Sequence, residues 1–325
     1  MSFKDILGQN RQIGIIKKVV ENGRVPHAYL FVGEEGVGKM FTALNMAKAL
    51  NCDIETADSC DVCMSCKKID KGNHPDVDII EPEGNFIKIN QIRELQKSLQ
   101  YKPYEGKKKA CIIPDAAKMN LAAANSLLKT LEEPSPDTIL ILITTSPHLL
   151  LPTINSRCQK LKFQPLSRNS ISQIVKDKLG KKEDAASMIA SLARGSLKRA
   201  YELAEGTTIE YRKRLIDKIN SLSSNDINNT FKLAEEMSKE KDKLSGNLDL
   251  LKTWFRDILV FKEGCPSERL INIDFLEEIK RVAGKFTIMD LLERLKVIND
   301  AQSALLWNSN KRLTMEVMLT SLCKN

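Results

Sequence analysis

The chain has no long apolar segment. Its 325 residues contain nothing near the roughly 18 consecutive apolar residues of a membrane-spanning helix, and the longest apolar run, near Ile139–Ile143, has the length of a strand. The opening residues Met1–Asp5 lack the apolar core of a secretory signal peptide. Internal repeats and low-complexity tracts are absent as well. The sequence therefore predicts a soluble, cytoplasmic protein.

Proline is almost missing from the second half. Ten of the 11 prolines lie at or before Pro165, and only Pro266 follows. Because proline breaks helices, the first half should mix strands and helices, and the second half should be nearly all helix. Strands are predicted at Ala28–Val32, Ala110–Ile113 and Ile139–Thr144, with helices at Lys39–Leu50, Ile89–Leu99 and Ala116–Leu131. This alternation favours an α/β fold with a parallel sheet, followed by an all-α region.

The second half follows the 3.6-residue period of a helix. Its apolar face is predicted to contain Met289, Leu292, Leu295, Ile298, Ala301 and Leu305, extended by Leu313, Val317 and Leu319, with Trp254 and Trp307 in the helical core. We predict three parts: an α/β domain at 1–165, a small helical unit at 166–206 and a larger helical bundle at 207–325.

Charge is not concentrated anywhere in the chain. The net charge is +8, from 50 Lys and Arg against 42 Asp and Glu, and both halves share the excess without a basic tail. The longest basic run, Lys107–Lys109, is predicted to lie in a solvated turn. Such a mildly positive surface helps any phosphate contact but does not identify a nucleic-acid site. The overall composition is that of a globular protein and excludes a disordered or collagen-like chain.

A glycine-rich loop follows the first predicted strand. Gly33, Gly36, Gly38 and Lys39 form the pattern GxxxxGK between a strand and a helix, which is the context of a phosphate-binding P-loop. Glycines let backbone N–H groups face the phosphates of ATP or ADP, and Lys39 would add a positive charge. A tight turn without a ligand is the alternative.

Two departures argue against efficient hydrolysis. The residue after Lys39 is normally Ser or Thr, whose hydroxyl binds Mg²⁺, but here it is Met40. In an active ATPase, two consecutive acidic residues normally follow the strand that is predicted here at Ala110–Ile113. Asp115 occupies the first of these positions, but the second is Ala116, which cannot act as a base. Nucleotide binding stays open on this evidence.

Four cysteines lie within 15 residues. Cys52, Cys60, Cys63 and Cys66 form the spacing C-x7-C-x2-C-x2-C, and four thiolates suit a closed, structural Zn²⁺ site. An iron–sulfur cluster or unliganded thiols are the alternatives, although no Cys-Pro follows at the ferredoxin spacing. The remaining cysteines are predicted to be small packing residues; they are Cys111, Cys158, Cys265 and Cys323.

Several motifs together resemble a known family. His27–Phe31 leading into the P-loop, the inserted cysteines, Leu127–Pro134 and Ser156–Cys158 are similar to the AAA+ subunits of bacterial DNA polymerase III clamp loaders. The set spans about residues 1–165. A weaker match, Asn308–Leu313 with Glu316, resembles the end of the family's collar domain.

The departures indicate one branch of that family. The gamma/tau motor subunits keep the Ser or Thr and the Asp-Glu pair, whereas the delta-prime branch often has a degraded site. Met40, Pro114–Ala116 and His74–Asp76 resemble the delta-prime branch. An active gamma/tau-type ATPase motor is the alternative, and a stand-alone zinc-dependent nucleic-acid binder is a third hypothesis.

The resemblance implies an architecture and a set of partners. It implies an AAA+ P-loop domain at 1–165 with a zinc-binding insert at 52–66, a helical lid at 166–206 and an oligomerisation collar at 207–325. The implied partners are the gamma/tau and delta subunits of a hetero-pentamer, with the sliding clamp and primed DNA reached through the complex in the bacterial replisome.

The resemblance also implies roles for residues outside the P-loop. Arg157 matches the arginine finger that completes a neighbouring subunit's ATP site, although an intradomain salt bridge is its ordinary alternative. Thr144 and Thr145 resemble the sensor-1 site, which detects the γ-phosphate. Lys198 stands where motor subunits carry a sensor-2 Arg. Lys lacks the planar guanidinium group with which Arg can donate two parallel hydrogen bonds.

Overall fold

The chain folds into two compact units. The computed structural model describes residues 2–54, 57–205, 207–222, 226–239, 244–307 and 309–323. The first unit is Met1–Ile174 with Gly195–Arg199, and the second is Val175–Arg194 with Ala200–Asn325. The finer division into a lid at 166–206 and a collar at 207–325 stays a prediction. Among the described residues, no helix combines the length and the apolar character needed to cross a bilayer.

A five-stranded parallel sheet forms the centre of the first unit. The strands are β1 (Ala28–Val32), β2 (Val77–Ile79), β3 (Lys109–Ile113), β4 (Thr138–Thr144) and β5 (Gln159–Lys162), in the order β2-β3-β4-β1-β5. The three strands predicted from apolar runs are therefore confirmed. The short strands β2 and β5 were not predicted, because three or four residues carry too little periodic signal.

Helices cover both faces of this sheet. They are α1 (Asn10–Glu21), α2 (Lys39–Asn51), α3 (Met64–Asp70), α4 (Ile89–Leu99), α5 (Leu121–Glu132) and α6 (Pro152–Arg157). Successive strand residues point to opposite faces, so Tyr29 and Phe31 enter one apolar cluster and Leu30 enters the other. Helix α5 begins later than predicted because Asn120 caps it, with its side chain accepting a hydrogen bond from the Ala123 N–H.

The chain after β5 is helical, as predicted. The helices are α7 (Arg168–Leu179), α8 (Glu183–Ala193), α9 (Leu197–Ala204), α10 (Thr207–Ser221), α11 (Ile227–Lys239), α12 (Leu244–Lys262), α13 (Leu276–Ala283), α14 (Ile288–Leu306) and α15 (Lys311–Cys323). One large apolar cluster fills the second unit, with Trp254 completely buried at its centre.

The apolar face predicted for α14 and α15 is only partly buried. Ile298, Ala301 and Leu319 lie in the core, but Met289, Leu292, Leu313 and Val317 are exposed. Trp307 is also wrong as a core residue, because it follows the end of α14 and is 87% exposed. Helical spacing identifies residues that share a face, but it does not say how much of that face a neighbouring helix covers.

Candidate functional site

The glycine loop lies between the end of β1 and the start of α2. Gly36 and Gly38 have φ of +77° and +97°, a region that favours glycine. Gly33 donates its N–H to the carbonyl of Thr144 at 3.3 Å. A Cβ on Gly33 would lie 2.7 Å from the carbonyl oxygen of Phe163, the residue after β5, so the loop passes too close to that backbone for any side chain. The loop thus has the local geometry that its sequence predicts.

The P-loop lysine is bonded to the loop itself. Lys39 Nζ donates to the carbonyl oxygens of Gly33 at 2.6 Å and Glu34 at 2.5 Å. Burial lowers the pKa of this ammonium, and the negative charges of the nearby Glu34, Glu35 and Asp115 oppose that effect. Two N–H groups of the Lys39 ammonium therefore donate to the loop itself. A bound phosphate would have to take the place of these carbonyl acceptors.

The two positions that depart from an active ATPase lie in apolar surroundings. Met40 is half-buried and packs against the apolar cluster on the α1–α2 face of the sheet. Ala116 is fully buried beside Asp115. The Asp115 carboxylate accepts a hydrogen bond from Lys118 Nζ at 2.9 Å. Neither Met40 nor Ala116 supplies the oxygen that metal binding or water activation requires.

A segment far along the chain covers the glycine loop. The N–H of Leu197 donates to the carbonyl of Gly36 at 2.9 Å, and Lys198 Nζ lies 2.6 Å from Glu35 Oε1. A Cβ on Gly36 would meet Ser196 Oγ at 2.2 Å. The structure thus brings Lys198 to the P-loop, as the resemblance implies, but pairs it with the loop's own carboxylate. This contact was not predictable from the spacing of the motif.

The two threonines after β4 have different surroundings. Thr144 is buried, pairs with Val32 in the sheet and accepts the N–H of Ser146 on its hydroxyl at 3.0 Å. Thr145 is exposed, and its hydroxyl lies 3.5 Å from Ser146 Oγ. The structure therefore places Thr144 beside the start of the glycine loop and leaves the Thr145 side chain at the surface.

Arg157 lies at the last position of α6. Its Nη2 is 2.7 Å from Glu132 Oε1 at the end of α5, and its Nη1 donates to the carbonyl of Thr153 at 3.3 Å. The side chain is 37% exposed. The guanidinium is thus at the surface and is paired within its own unit.

The four cysteines converge on one point. The Sγ atoms of Cys52, Cys60, Cys63 and Cys66 all lie within 4.8 Å of one another, and tetrahedral Zn²⁺ with sulfur ligands requires separations of about 3.8 Å. The N–H of Cys63 donates to Cys60 Sγ, and the N–H of Cys66 donates to Cys63 Sγ. These donors stabilise negative sulfur.

The surroundings of Cys66 disfavour a thiolate in the absence of a cation. Burial raises the pKa of the Cys66 thiol, and the neighbouring sulfurs of Cys63 and Cys52 raise it further. Gathering four thiolates is therefore unfavourable unless a positive ion compensates their charge. The cluster could accordingly hold a metal ion.

A buried lysine secures the cysteine segment. Lys48 of α2 is almost inaccessible to solvent, and its Nζ pairs with Asp61 and, at 3.0 Å, with Asp70. The ion pairs with Lys48 oppose the effect of burial and give that ammonium a raised pKa. A lone Lys in a helix gives no sequence signal for this role, so it was missed.

The comparisons with known proteins agree with these motifs. The family model "DNA polymerase III, delta subunit" matches residues 8–167, and "DNA polymerase III, delta subunit, C terminal" matches residues 207–324. DNA polymerase III subunit delta' of Bacillus subtilis is 35% identical over 97% of this chain and 96% of its own length. The delta' subunit of Pseudomonas aeruginosa is 32% identical over 90% of each chain.

Relatives of a second branch match over a smaller share of their own length. The tau subunit of Bacillus subtilis is 27% identical over 99% of this chain but only 61% of its own length. The delta' relatives, in contrast, match along nearly their whole length. The chain belongs to the delta-prime subunit family of bacterial DNA polymerase III.

Proposed function

We propose that this chain is a non-hydrolysing subunit of a clamp loader and donates Arg157 to the ATP site of a neighbouring subunit. It assembles with gamma/tau and delta subunits in a hetero-pentamer that loads a sliding clamp onto primed DNA. One contrast carries the proposal: Met40 and Ala116 stand where an active ATPase has a hydroxyl and a second carboxylate, whereas the guanidinium of Arg157 is at the surface.

Several contacts support the absence of hydrolysis. Lys39 Nζ donates to the carbonyl oxygens of Gly33 and Glu34. Binding of ATP or ADP would require Lys39 to release those carbonyls. Even then, Met40 supplies no hydroxyl for Mg²⁺, and Ala116 supplies no carboxylate for activating water.

The pairing of Arg157 is compatible with action on a neighbour. An exposed Arg–carboxylate pair contributes little net stability, because water competes for both partners. A γ-phosphate carries more negative charge and would lie in an interface from which water is excluded, where its attraction for a guanidinium is stronger. Arg157 would therefore leave Glu132 when the neighbouring site is loaded with ATP.

The cysteine cluster is proposed to hold Zn²⁺. Cys52, Cys60, Cys63 and Cys66 would supply four thiolate ligands, which leaves no open position for catalysis. The role is thus structural: the ion joins the end of α2 to α3. Metal analysis of the purified chain tests this assignment, and Cys60→Ser should lower the zinc content.

The isolated chain tests the first half of the proposal. We expect its ATP hydrolysis to equal that of Lys39→Ala, because neither has a working metal site. Turnover above that control would contradict the proposal and favour an active motor subunit. A Met40→Thr/Ala116→Glu double variant restores both missing oxygens, and a gain of hydrolysis in it would support the degraded-site interpretation.

The reconstituted loader tests the second half. With gamma/tau, delta, the sliding clamp and primed DNA present, Arg157→Ala should lower hydrolysis at the adjoining site by about 10³-fold. Lys160→Ala is the matched control, since it removes an exposed cation three residues away. Clamp loading and ATPase unchanged by Arg157→Ala would show that Arg157 is only a salt-bridge residue.

A further inference from the structure

An exposed aromatic loop lies beside the cysteine cluster. Residues 100–108, here called the tyrosine loop, connect α4 to β3. Tyr101 and Tyr104 are 72% and 86% exposed, although a large aromatic side chain usually gains by being buried. The backbone beneath these side chains is, in contrast, bonded at several points.

A buried carboxylate holds the centre of the tyrosine loop. Asp76 accepts the backbone N–H of Tyr104 at 2.7 Å, of Glu105 at 2.9 Å and of Gly106 at 2.8 Å. Burial by itself would raise the pKa of Asp76, but these three donors hold it below its usual value. The carboxylate therefore stays ionised and fixes three consecutive amides.

His74 connects this carboxylate segment to the cysteine segment. Its Nδ1 accepts the N–H of Asp76 at 3.1 Å, and its Nε2 lies 3.1 Å from Ser65 Oγ. Ser65 stands between Cys63 and Cys66 in the first turn of α3. A continuous chain of hydrogen bonds thus runs from the cysteine-bearing helix to the tyrosine loop.

Two further contacts tie the tyrosine loop to residues beside the thiols. Lys68 of α3 pairs with Glu105 at 2.6 Å. Lys107 Nζ donates to the carbonyl oxygen of Cys52. In both cases, the partner lies on the segments that the four thiols bring together, α3 and the end of α2.

A close approach completes the attachment. The N–H of Lys108 donates to Asn51 Oδ1 at 2.9 Å. A Cβ on Gly106 would lie 2.6 Å from that same oxygen, so only glycine fits at this point. The loop therefore rests directly on the residue that precedes Cys52.

We infer that the metal site is the positioning element of the tyrosine loop, so that metal occupancy controls the order of an exposed aromatic surface. Ser65, Cys52 and Lys68 keep their places only while the cysteine segment is closed around an ion. Without the ion, the ion pairs of Lys48 with Asp61 and Asp70 do not suffice to hold α3 against the end of α2, and the bonds through His74, Lys68 and Lys107 are lost together. The inference rests on the metal site proposed above.

Hydrogen exchange of the full chain tests the inference. The reporters are the four amides bonded to Asp76 and Asn51, which belong to Tyr104, Glu105, Gly106 and Lys108. We expect their exchange to accelerate roughly tenfold when a chelator removes the metal, the size of one lost net hydrogen bond. Amides of β4 should not change, which shows that the sheet persists.

A variant that keeps the metal makes the test independent of unfolding. His74→Ala should accelerate the amides of Tyr104, Glu105 and Gly106 while the zinc content stays at one ion per chain. His148→Ala, at an exposed histidine, is the matched control and should change neither. If chelation unfolds the whole sheet, this variant still tests the link through His74, and unchanged amides in it would overturn the inference.

Metal content separates the possible failures. A purified chain that takes up no zinc on titration would overturn the metal site and, with it, the control of the loop. A chain that holds zinc but shows the same exchange at these four amides after chelation, with β4 intact, would overturn only the coupling.

Discussion

Glu132 holds the guanidinium of Arg157 within the same unit, with Nη2 2.7 Å from Oε1. Glu132 is the last residue of α5, and Arg157 is the last residue of α6. Both side chains are substantially exposed, so the pair is weak. Water therefore competes for both partners, and breaking the pair costs little free energy.

This relationship predicts a mild effect of Glu132→Gln. The free energy of unfolding should change by less than about 1 kcal/mol. ATP hydrolysis by the reconstituted loader should stay at or above the wild-type rate, because Arg157 no longer exchanges one anion for another. Glu133→Gln is the matched control at the adjacent exposed position. A loss as large as that of Arg157→Ala would show that the intact pair, rather than the guanidinium, is needed.

The contact between Gly36 and Ser196 predicts a large effect of a small substitution. In Gly36→Ala, the new Cβ would meet Ser196 Oγ at 2.2 Å and would force alanine to a φ of +77°. We expect a loss of about 2–3 kcal/mol in the free energy of unfolding, measured with urea.

A second glycine separates the cost of the contact with Ser196 from the cost of the positive φ. Gly23 also has a positive φ, of +66°, but a Cβ there meets nothing within 4 Å. Gly23→Ala should therefore lose only the backbone contribution, about 1 kcal/mol. Equal losses in the two variants would mean that the segment around Ser196 does not press on the glycine loop.

The contact at Gly36 also marks the limit of prediction from the sequence. The P-loop, β1, β3 and β4 were predicted because their signals are local: apolar runs and a fixed glycine spacing. The pairing of Lys198 with Glu35 joins residues 163 positions apart, and that of Arg157 with Glu132 depends on two helix ends meeting. No local pattern encodes such a partner.

The helical half shows a different limit. Ile298 and Met289 satisfy the same periodic pattern, yet Ile298 is buried and Met289 is exposed. Burial depends on whether another helix lies over that turn, which is a property of the packing. The convergence of the four cysteines was predicted correctly because their close spacing is a local signal, whereas Lys48, a single lysine within a helix, has no comparable signature.

Asp257 is predicted to be essential for the second unit. It is completely buried and accepts the N–H of Ile271 at 2.8 Å, the N–H of Asn272 at 2.6 Å and a donor of Arg256 at 2.6 Å. Asp257→Ala leaves several buried donors without an acceptor and should cost about 3 kcal/mol in the free energy of unfolding.

Two comparisons complete that measurement. Asp257→Asn keeps one acceptor oxygen, so its free energy of unfolding should fall less than that of Asp257→Ala. Glu277→Ala removes a carboxylate from an exposed pair with Lys280 and should change stability by less than about 0.5 kcal/mol. If Asp257→Ala were as mild as Glu277→Ala, the segment at Ile271 and Asn272 would not depend on this carboxylate.

His74 predicts how stability depends on pH. Burial lowers the pKa of its imidazole; Glu105, Asp76 and Asp53 oppose that effect, and Lys68 adds to it. His74 is therefore neutral near pH 7, as its acceptance of the Asp76 N–H on Nδ1 requires. Because the folded pKa lies below the unfolded value of about 6.5, the unfolded state binds a proton first as the pH falls, and stability is lost below that value.

Comparing the wild type with His74→Asn isolates the contribution of His74 protonation to stability. His74→Asn keeps an acceptor for the Asp76 N–H but does not titrate, so its free energy of unfolding should fall less than that of the wild type between pH 7.5 and pH 5.5, by up to about 1 kcal/mol. Both chains are measured with Zn²⁺ in excess, so that loss of zinc from the thiolates in acid does not contribute to the difference. His148→Asn should follow the wild type. Parallel profiles for all three chains would mean that the protonation of His74 is not linked to folding.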